Sequence, residues 1–346
     1  AYGAGALTFG RDLIIPKPVD PRLITAVAPA VAKAAMESGI AQAPITDWAS
    51  YERELEVRLG NDSTFSRNIA TRAGRSPKRV VFAEAEHYKV LKAAEMAMDE
   101  GIAHPILLGR RERIERLIEE NNLELEGATM LDPRGDEEQT RREAFGKVLF
   151  ESRKRHGLTA IEAERHMRQR NYFGSMLVDQ GEADALVSGL TRNYPSVIRP
   201  ALHVIGKAQG VDKVAGMYIL QTKNGPMFFA DTTVNTNPTV EDIVNITLLT
   251  AEAVRNLRIV PRIALLSYSN FGSSKGYDAE KMAEAARYLH VHHPELIVDG
   301  EVQANFAMNQ EKLAESFPFS ALNKRRVNTL IFPNLAAGNI SYKLMQ

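Results

Sequence analysis

Residues 79–108 read RVVFAEAEHYKVLKAAEMAMDEGIAHPILL, and the fold class turns on how this stretch is divided. RVVFAEA (79–85) is an apolar run of the buried-strand type. From His87 the apolar positions Val90, Leu91, Ala94 and Met98 fall at helical spacing, and Gly101 ends the pattern. His104 to Leu108 is a second strand. Strand, helix and strand in so short a span are the rhythm of a parallel sheet covered on both faces, with right-handed crossovers.

The alternation continues toward the carboxyl end. Helices are expected over Glu112–Asn121 (with a Glu112–Arg116 pair at i,i+4), near Glu138–Arg155 and Thr159–Arg168, and around Phe173–Val178. A short strand, Ala185–Ser188, precedes a helix over Ser196–Ile205. Two strands, Val214–Gln221 and Met227–Ala230, flank Asn224-Gly225, a strong hairpin signal. A long helix, Thr239–Leu257, opens with Pro238 and a Thr239…Asp242 variant of the capping box. Strands at Ile263–Ser267, Leu296–Asp299 and Thr329–Phe332, a helix at Asp278–Val291 and a helical pattern after Asn339 complete the reading.

Toward the amino end, Leu13-Ile14-Ile15 is a short strand stopped by Pro16 and Pro18. Asp20-Pro21 is an N-cap with proline at the first helical position. That helix reaches Gly39, with Pro29 as a kink or break, and a second spans Trp48–Leu59. Gly60 to Pro77 is polar and small, the composition of a linker. The chain opens on Ala-Tyr-Gly with no Met, so a longer parent protein is expected.

Of the 346 residues 44% are hydrophobic and 25% charged, a globular balance. Lys+Arg and Asp+Glu each total 43, so no basic surplus exists to displace the counterions of nucleic acid. The absence of cysteine excludes disulfides, thiolate nucleophiles and Cys-based metal sites, and a reducing cytoplasm is the expected location. No apolar run is long enough for a membrane helix. The most apolar amino-terminal stretch, Leu23 to Met36, is broken by Pro29 and Lys33 and lacks the pattern of a signal peptide.

In parallel-sheet folds ligands sit where strands feed helices, and three exits qualify here. Ser188-Gly189-Leu190-Thr191-Arg192, with Arg199 in the next helix, offers backbone N–H groups, hydroxyls and a bidentate cation to an anion. An ordinary turn with a solvated arginine fits equally well. Ser267 to Gly276 (SYSNFGSSKG) is either a phosphate nest or a flexible surface loop, and it is neither GxxxxGK[ST] nor GxGxxG. Ala230 to Asn235, with Asp231 and Asn235, either orders a loop or contacts a ligand. Glu84 and Glu86 read as surface solvation or helix capping. His290, His292 and His293 lack the spacing of a zinc site, so no metal is expected within the chain.

The order and spacing of several runs carry a resemblance. RVVFAEAEHYKVLKAA (79–94), FESRKRHGLT (150–159), GEADALVSGLTRNYPSVIRPAL (181–202), FADTTVNTNPTVEDI (229–243), ALLSYSNFGSSKG (264–276), LIVDGEVQ (296–303) and NTLIFPNLAAGNISYKL (328–344) together resemble phosphotransacetylases. FGRDLIIPKPVDPRLI (9–24) and VAPAVAKAAMESGIA (27–41) resemble the end of a bacterial malic enzyme's nucleotide-binding domain. The two occur joined in hybrid malic enzymes, which decarboxylate malate to pyruvate with NADP and a divalent metal, Mg or Mn.

The resemblance implies an α/β fold of the phosphotransacetylase (isocitrate/isopropylmalate dehydrogenase-like) kind, with two subdomains and a cleft. It divides the chain into the end of a dehydrogenase domain (1–43), a helix and linker (44–77) and an incomplete phosphotransacetylase-like domain (78–346). The acetyl-CoA and acyl-phosphate cleft would be lined by Arg153, Ser188, Gly189, Thr191, Arg199, Asp231, Asn235, Ser267, Ser269, Gly272, Ser273, Ser274, Lys275 and Asn339. The family's catalytic aspartate falls beyond the NISYK helix, so no catalytic residue is assigned among these residues. The family's small, Thr-rich turn is replaced by Leu190-Thr191-Arg192-Asn193-Tyr194. Both departures favour acetyl-CoA sensing that regulates a malic enzyme over an active phosphate acetyltransferase or an oligomerisation scaffold. The implied partners are an acyl-CoA, the rest of the malic enzyme chain and further copies in a homo-oligomer, with no nucleic acid and no membrane.

Overall fold

The structure, a computed structural model, describes residues 22–58, 64–222 and 224–345. The strand expected at residues 13–15 and the cap at residues 20–21 lie outside these. The chain divides into two compact units, residues 1–206 and 207–346.

In the first unit, α1 (Arg22–Glu37), α2 (Trp48–Arg58) and α3 (Thr64–Gly74) precede the sheet. α1 runs through Pro29 as one element where a kink or break is expected. α3 occupies most of the segment whose composition reads as a linker. Phe65 and Ile69 stand four apart there, one apolar pair among polar neighbours, too weak a periodic signal to declare a helix.

Then follow β1 (Lys78–Phe82), α4 (Tyr88–Asp99), β2 (Ala103–Leu108), α5 (Arg111–Glu120), β3 (Thr129–Leu131), α6 (Gln139–Arg153), α7 (Ala160–His166), α8 (Arg170–Asp179), β4 (Ala185–Val187) and α9 (Tyr194–Val204). The strands form one parallel sheet in the order β3-β2-β1-β4. Side chains alternate along each strand, and the core divides accordingly. Phe82 and Leu107 pack with Leu91 and Ala94 of α4 and Ile114 of α5. Val81, Ile106 and Leu108 pack on the other face with Phe145, Leu149, Phe173 and Met176. α8 lies so close to the sheet that a Cβ on Gly174 would come 2.8 Å from Leu186 Cδ1. The ion pair on α5 is Arg111–Glu115 at 3.7 Å rather than the expected Glu112–Arg116.

The second unit contains β5 (Met217–Thr222), β6 (Gly225–Ala230), α10 (Val240–Asn256), β7 (Arg262–Leu266), α11 (Tyr277–His292), β8 (Ile297–Val302), α12 (Ala304–Ala307), α13 (Gln310–Ser316), β9 (Thr329–Ile331) and α14 (Leu335–Leu344). Its sheet runs β5-β6-β9-β7-β8, with β5–β6 the antiparallel hairpin expected at Asn224-Gly225 and the remaining pairs parallel. Ile263 and Leu265 face the cluster with Ile243, Ile246 and Met282, while Ala264 and Leu266 face Phe332, Leu322 and Tyr342. The capping box of α10 forms in full: Asp242 N donates to Thr239 Oγ1 at 3.2 Å, and Thr239 N to Asp242 Oδ2 at 3.1 Å. No helix among the described residues is long and apolar enough to cross a membrane.

Phe173 is fully buried, its ring 5.5 Å from that of Phe145. Phe173→Ala leaves a cavity between α8 and α6, and the expected loss is about 3–5 kcal/mol in urea unfolding.

Candidate functional site

At the carboxyl end of β1 the chain turns at Ala83-Glu84-Ala85, so the strand ends at Phe82 and not at Ala85. Glu84 is 5% exposed. Its Oε2 accepts the N–H groups of Gly189 and Leu190, both at 2.8 Å, and its Oε1 accepts Thr191 N at 2.9 Å and the Thr191 hydroxyl. The first strand-exit loop is therefore a nest with an occupant, a carboxylate of the same chain. Burial raises the Glu84 pKa, but the Thr191 hydroxyl and the three N–H groups outweigh it and hold the group below its ordinary value. Glu86 is likewise not a solvated surface acid. It accepts Arg110 N at 3.0 Å and pairs with Arg113 at 3.2 Å and with Arg170.

The two loops of the second unit repeat the device. Asp231, 3% exposed, accepts Gly216 N, Thr233 N and Val234 N on Oδ1 and Asn235 N and Nδ2 on Oδ2, at 2.6–3.1 Å. α14 approaches this loop without a side chain between them, because a Cβ on Gly338 would collide with the Asp231 carbonyl oxygen. Asn339 Nδ2 donates to Thr232 O at 3.2 Å from the same helix. Glu301, 2% exposed, accepts Ser269 Oγ at 2.9 Å and Gly272 N at 2.6 Å. Ser269 Oγ in turn accepts Ser274 N at 3.0 Å, and Ser273 Oγ accepts Asn270 N at 2.9 Å.

Several of the residues expected at a ligand take part in these internal contacts. Gly189 and Thr191 give their N–H groups to Glu84, Ser188 Oγ donates to Asn171 Oδ1 at 2.9 Å, and Ser269 is fully buried on Glu301. Asp231 and Asn235 order their own loop, one of the two readings open from the sequence. Ser267 Oγ accepts Ser269 N at 3.3 Å. Gly272, Ser273, Ser274 and Lys275 remain on the exposed rim of an ordered loop, and Lys275 makes no ion pair among the described residues.

Arg153 and Arg199 belong to a different cluster in the first unit. The Tyr172 hydroxyl meets His203 Nδ1 at 2.9 Å, and the His166 ring stacks on Tyr172 at 4.3 Å. Burial lowers the His203 pKa, and Arg153, Arg199, His166 and His156 push it the same way. Burial raises the Tyr172 pKa against Arg199 and Arg153. Both arginines therefore act on one polar spot, and neither makes an ion pair among the described residues. Sequence reading missed Tyr172, His166 and His203 here. It also read Glu84 as surface solvation or helix capping, although AEAEH at the end of a buried strand was the available signal.

Comparison with known proteins agrees with this architecture. Residues 64–346 match the family described as phosphate acetyl/butaryl transferase. Over its whole length the chain is 41% identical to an NADP-dependent malic enzyme of Haemophilus influenzae, matching 46% of that protein. The chain thus spans about half the length of such relatives. It is 34% identical to a phosphate acetyltransferase of Clostridium acetobutylicum over 281 residues, 79% of this chain and 83% of that one. Among solved structures, the EutD phosphotransacetylase from Staphylococcus aureus superposes with a TM-score of 0.73 at 28% identity, covering 82% of this chain and 85% of that one.

Replacing Glu84 with Gln turns one acceptor oxygen into a donor facing N–H groups that remain buried, and the expected cost is about 1–3 kcal/mol in urea unfolding. Because the folded pKa lies below the ordinary value of 4.5, the Glu84 contribution is present above pH 4.5 and is lost as pH falls through the folded pKa. Acid titration of stability should thus be shallower in Glu84→Gln than in the parent, and parallel curves would show that the nest adds nothing.

Proposed function

Because the chain belongs to the phosphate acetyl/butaryl transferase family, we propose that it is the acyl-CoA-sensing region of a malic enzyme, binding acetyl-CoA through Arg153 and Arg199. The observation that carries this reading is the full-length match to 46% of an NADP-dependent malic enzyme. A phosphotransacetylase-like sequence continuous with a dehydrogenase is placed to regulate it. The two arginines fit the ligand's chemistry, since neither is engaged by a described carboxylate and a guanidinium fork matches phosphate. The rim residues Ser273, Ser274 and Lys275 would add donors from the second unit's loop. Oxidative decarboxylation of malate, with NADP and Mg or Mn, would belong to the whole enzyme, assembled as a cytoplasmic homo-oligomer. Among the described residues no three His, Asp or Glu side chains are placed to hold a metal ion, and no step here runs through one.

Sensing is favoured over acyl transfer on physical grounds. Transfer needs a base for the CoA thiol and free N–H donors for the developing oxyanion. The N–H groups of Gly189, Leu190, Thr191 and Gly272 are already committed to Glu84 and Glu301. The similarity to a phosphate acetyltransferase favours the second reading, that acetyl-CoA is made from acetyl phosphate and CoA. A regulator needs a different property, unequal affinity for two states of the enzyme, with a coupling of typically about 1–3 kcal/mol.

Calorimetry of the full-length enzyme with acetyl-CoA should give saturable binding, weakened roughly tenfold or more by Arg199→Ala, with malate oxidation shifting over the same titration. Steady formation of acetyl-CoA from acetyl phosphate would support the transferase reading instead, and no binding by folded protein would leave a scaffold.

The depressed His203 pKa adds a pH signature. The unfolded chain, near the ordinary value of 6.5, binds a proton that the folded chain resists, so stability falls as pH drops through 6.5. His203→Gln should flatten that slope in thermal unfolding between pH 7.5 and 5.

A further inference from the structure

Tyr172 and His203 form a pair surrounded by bases. The Tyr172 hydroxyl lies 2.9 Å from His203 Nδ1, and only 4% of this tyrosine is exposed. Arg153 comes from the end of α6 and His156 from the Lys154–His156 turn that follows it. His166 comes from α7 and stacks on the Tyr172 ring, and Arg199 lies one turn before His203 on α9. Burial favours the neutral form of His203, and these four groups push the same way, the two arginines ahead of the histidines. His166 is itself held down by burial, with Glu162 and Arg165 acting on it in opposite directions. The Glu162 carboxylate is engaged at the start of α7, where it accepts the N–H and hydroxyl of Thr159.

Such a pair has two hydrogen-bonding states. With Nδ1 bare, the neutral imidazole accepts the Tyr172 hydroxyl. Once protonated, its Nδ1–H donates to the Tyr172 oxygen, and the phenolic hydrogen turns away. The surrounding bases select the first state, because another positive charge among them is unfavourable. That balance depends on the arginines being unopposed. An anion against Arg153 and Arg199 reverses the field at the imidazole, and the second state then becomes the favourable one. The effect is local, since residues four apart on a helix share a face and Arg199 and His203 are so placed.

We propose that ligand binding at Arg153 and Arg199 is coupled to proton uptake by His203, and that the Tyr172–His203 hydrogen bond reverses as the proton arrives. The inference rests on the acyl-CoA reading and adds a second ligand to it, the proton. One proton passes from solvent to His203 Nδ1 as the anion binds and returns when the anion leaves, while the phenolic hydrogen stays on Tyr172. Linkage is reciprocal, so a ligand that favours the proton is favoured by it, and the sensor responds to pH as well as to acyl-CoA.

Isothermal calorimetry of the full-length protein with acetyl-CoA at pH 7, run in buffers of low and high ionisation enthalpy, counts the protons exchanged. The parent should take up a fraction of a proton per site, up to about one. Relative to His203→Gln, it should gain roughly threefold or more in affinity between pH 8 and pH 6. His203→Gln should keep saturable binding and lose the uptake. Tyr172→Phe keeps the ring and removes the acceptor oxygen, so its uptake should fall, and its unfolding midpoint checks that the core around α8 is intact. The ligand's own phosphate titrates at about pH 6 in all three proteins, and the differences between them isolate the histidine. Binding by the parent without uptake, or uptake retained in His203→Gln, overturns the inference and leaves the acyl-CoA reading standing. Absence of saturable binding by the folded parent overturns both.

Discussion

A buried carboxylate at a strand exit collects the backbone N–H groups of a loop, and both units rely on this interaction to form a defined sheet edge. Glu84 holds residues 189–191, Asp231 holds residues 216 and 233–235, and Glu301 holds residues 269 and 272. Each acid is at most 5% exposed. Burying an ionised carboxylate costs several kcal/mol unless its oxygens are hydrogen-bonded. A glycine-rich loop has the converse difficulty, N–H groups that point inward and need acceptors. Each solves the other's problem, and neither would be stable alone.

That arrangement changes what the loops can do for a ligand. A phosphate entering the Ser188–Thr191 loop would have to displace Glu84 and leave it buried without partners. An anion would therefore have to be met by side chains beside the loops. Arg153 and Arg199 carry charge that bears on Tyr172 and His203, and Arg134, Arg168 and Arg192 are among the residues that line a cavity of the first unit. In the second unit Lys275 stands on a loop already rigidified by Glu301. Loops fixed in advance lower the ordering cost of binding, because little conformational freedom remains to be lost when the anion arrives.

The α/β class was legible because its signals are local. Val81 and Phe82, or Ile106 and Leu107, announce a doubly covered strand by being apolar in succession, and Thr239 and Asp242 mark a helix start within four residues. Asn224-Gly225 set a hairpin for the same reason. α3 and β3 were illegible: one is polar nearly throughout, and the other is three residues long. The loops were found but their occupants were not. Glu84 and Gly189 are 105 positions apart, and Ser269 and Glu301 are 32 apart, so no periodicity within a window relates them. Gly-Ser-rich composition reports that N–H groups converge on an acceptor; it does not report whether that acceptor is a ligand or a distant residue of the same chain.

This ambiguity bears on how a catalytic fold becomes a sensor. An oxyanion hole is a set of donors left unsatisfied until the transition state arrives. A regulatory site needs the opposite, donors satisfied in every state, with affinity placed in side chains that can gain or lose a contact as the assembly shifts. The strand exits described here have satisfied donors, and Arg192 beside the first of them makes no ion pair among the described residues. Turning such an exit toward catalysis would require the loop to release Glu84 while the acid found another partner, whereas tuning it as a sensor requires only a change of side chain on an exposed turn. Within Leu190-Thr191-Arg192-Asn193-Tyr194 the backbone as far as Thr191 is anchored to Glu84, so a change of side chain at Arg192 would leave that anchorage in place.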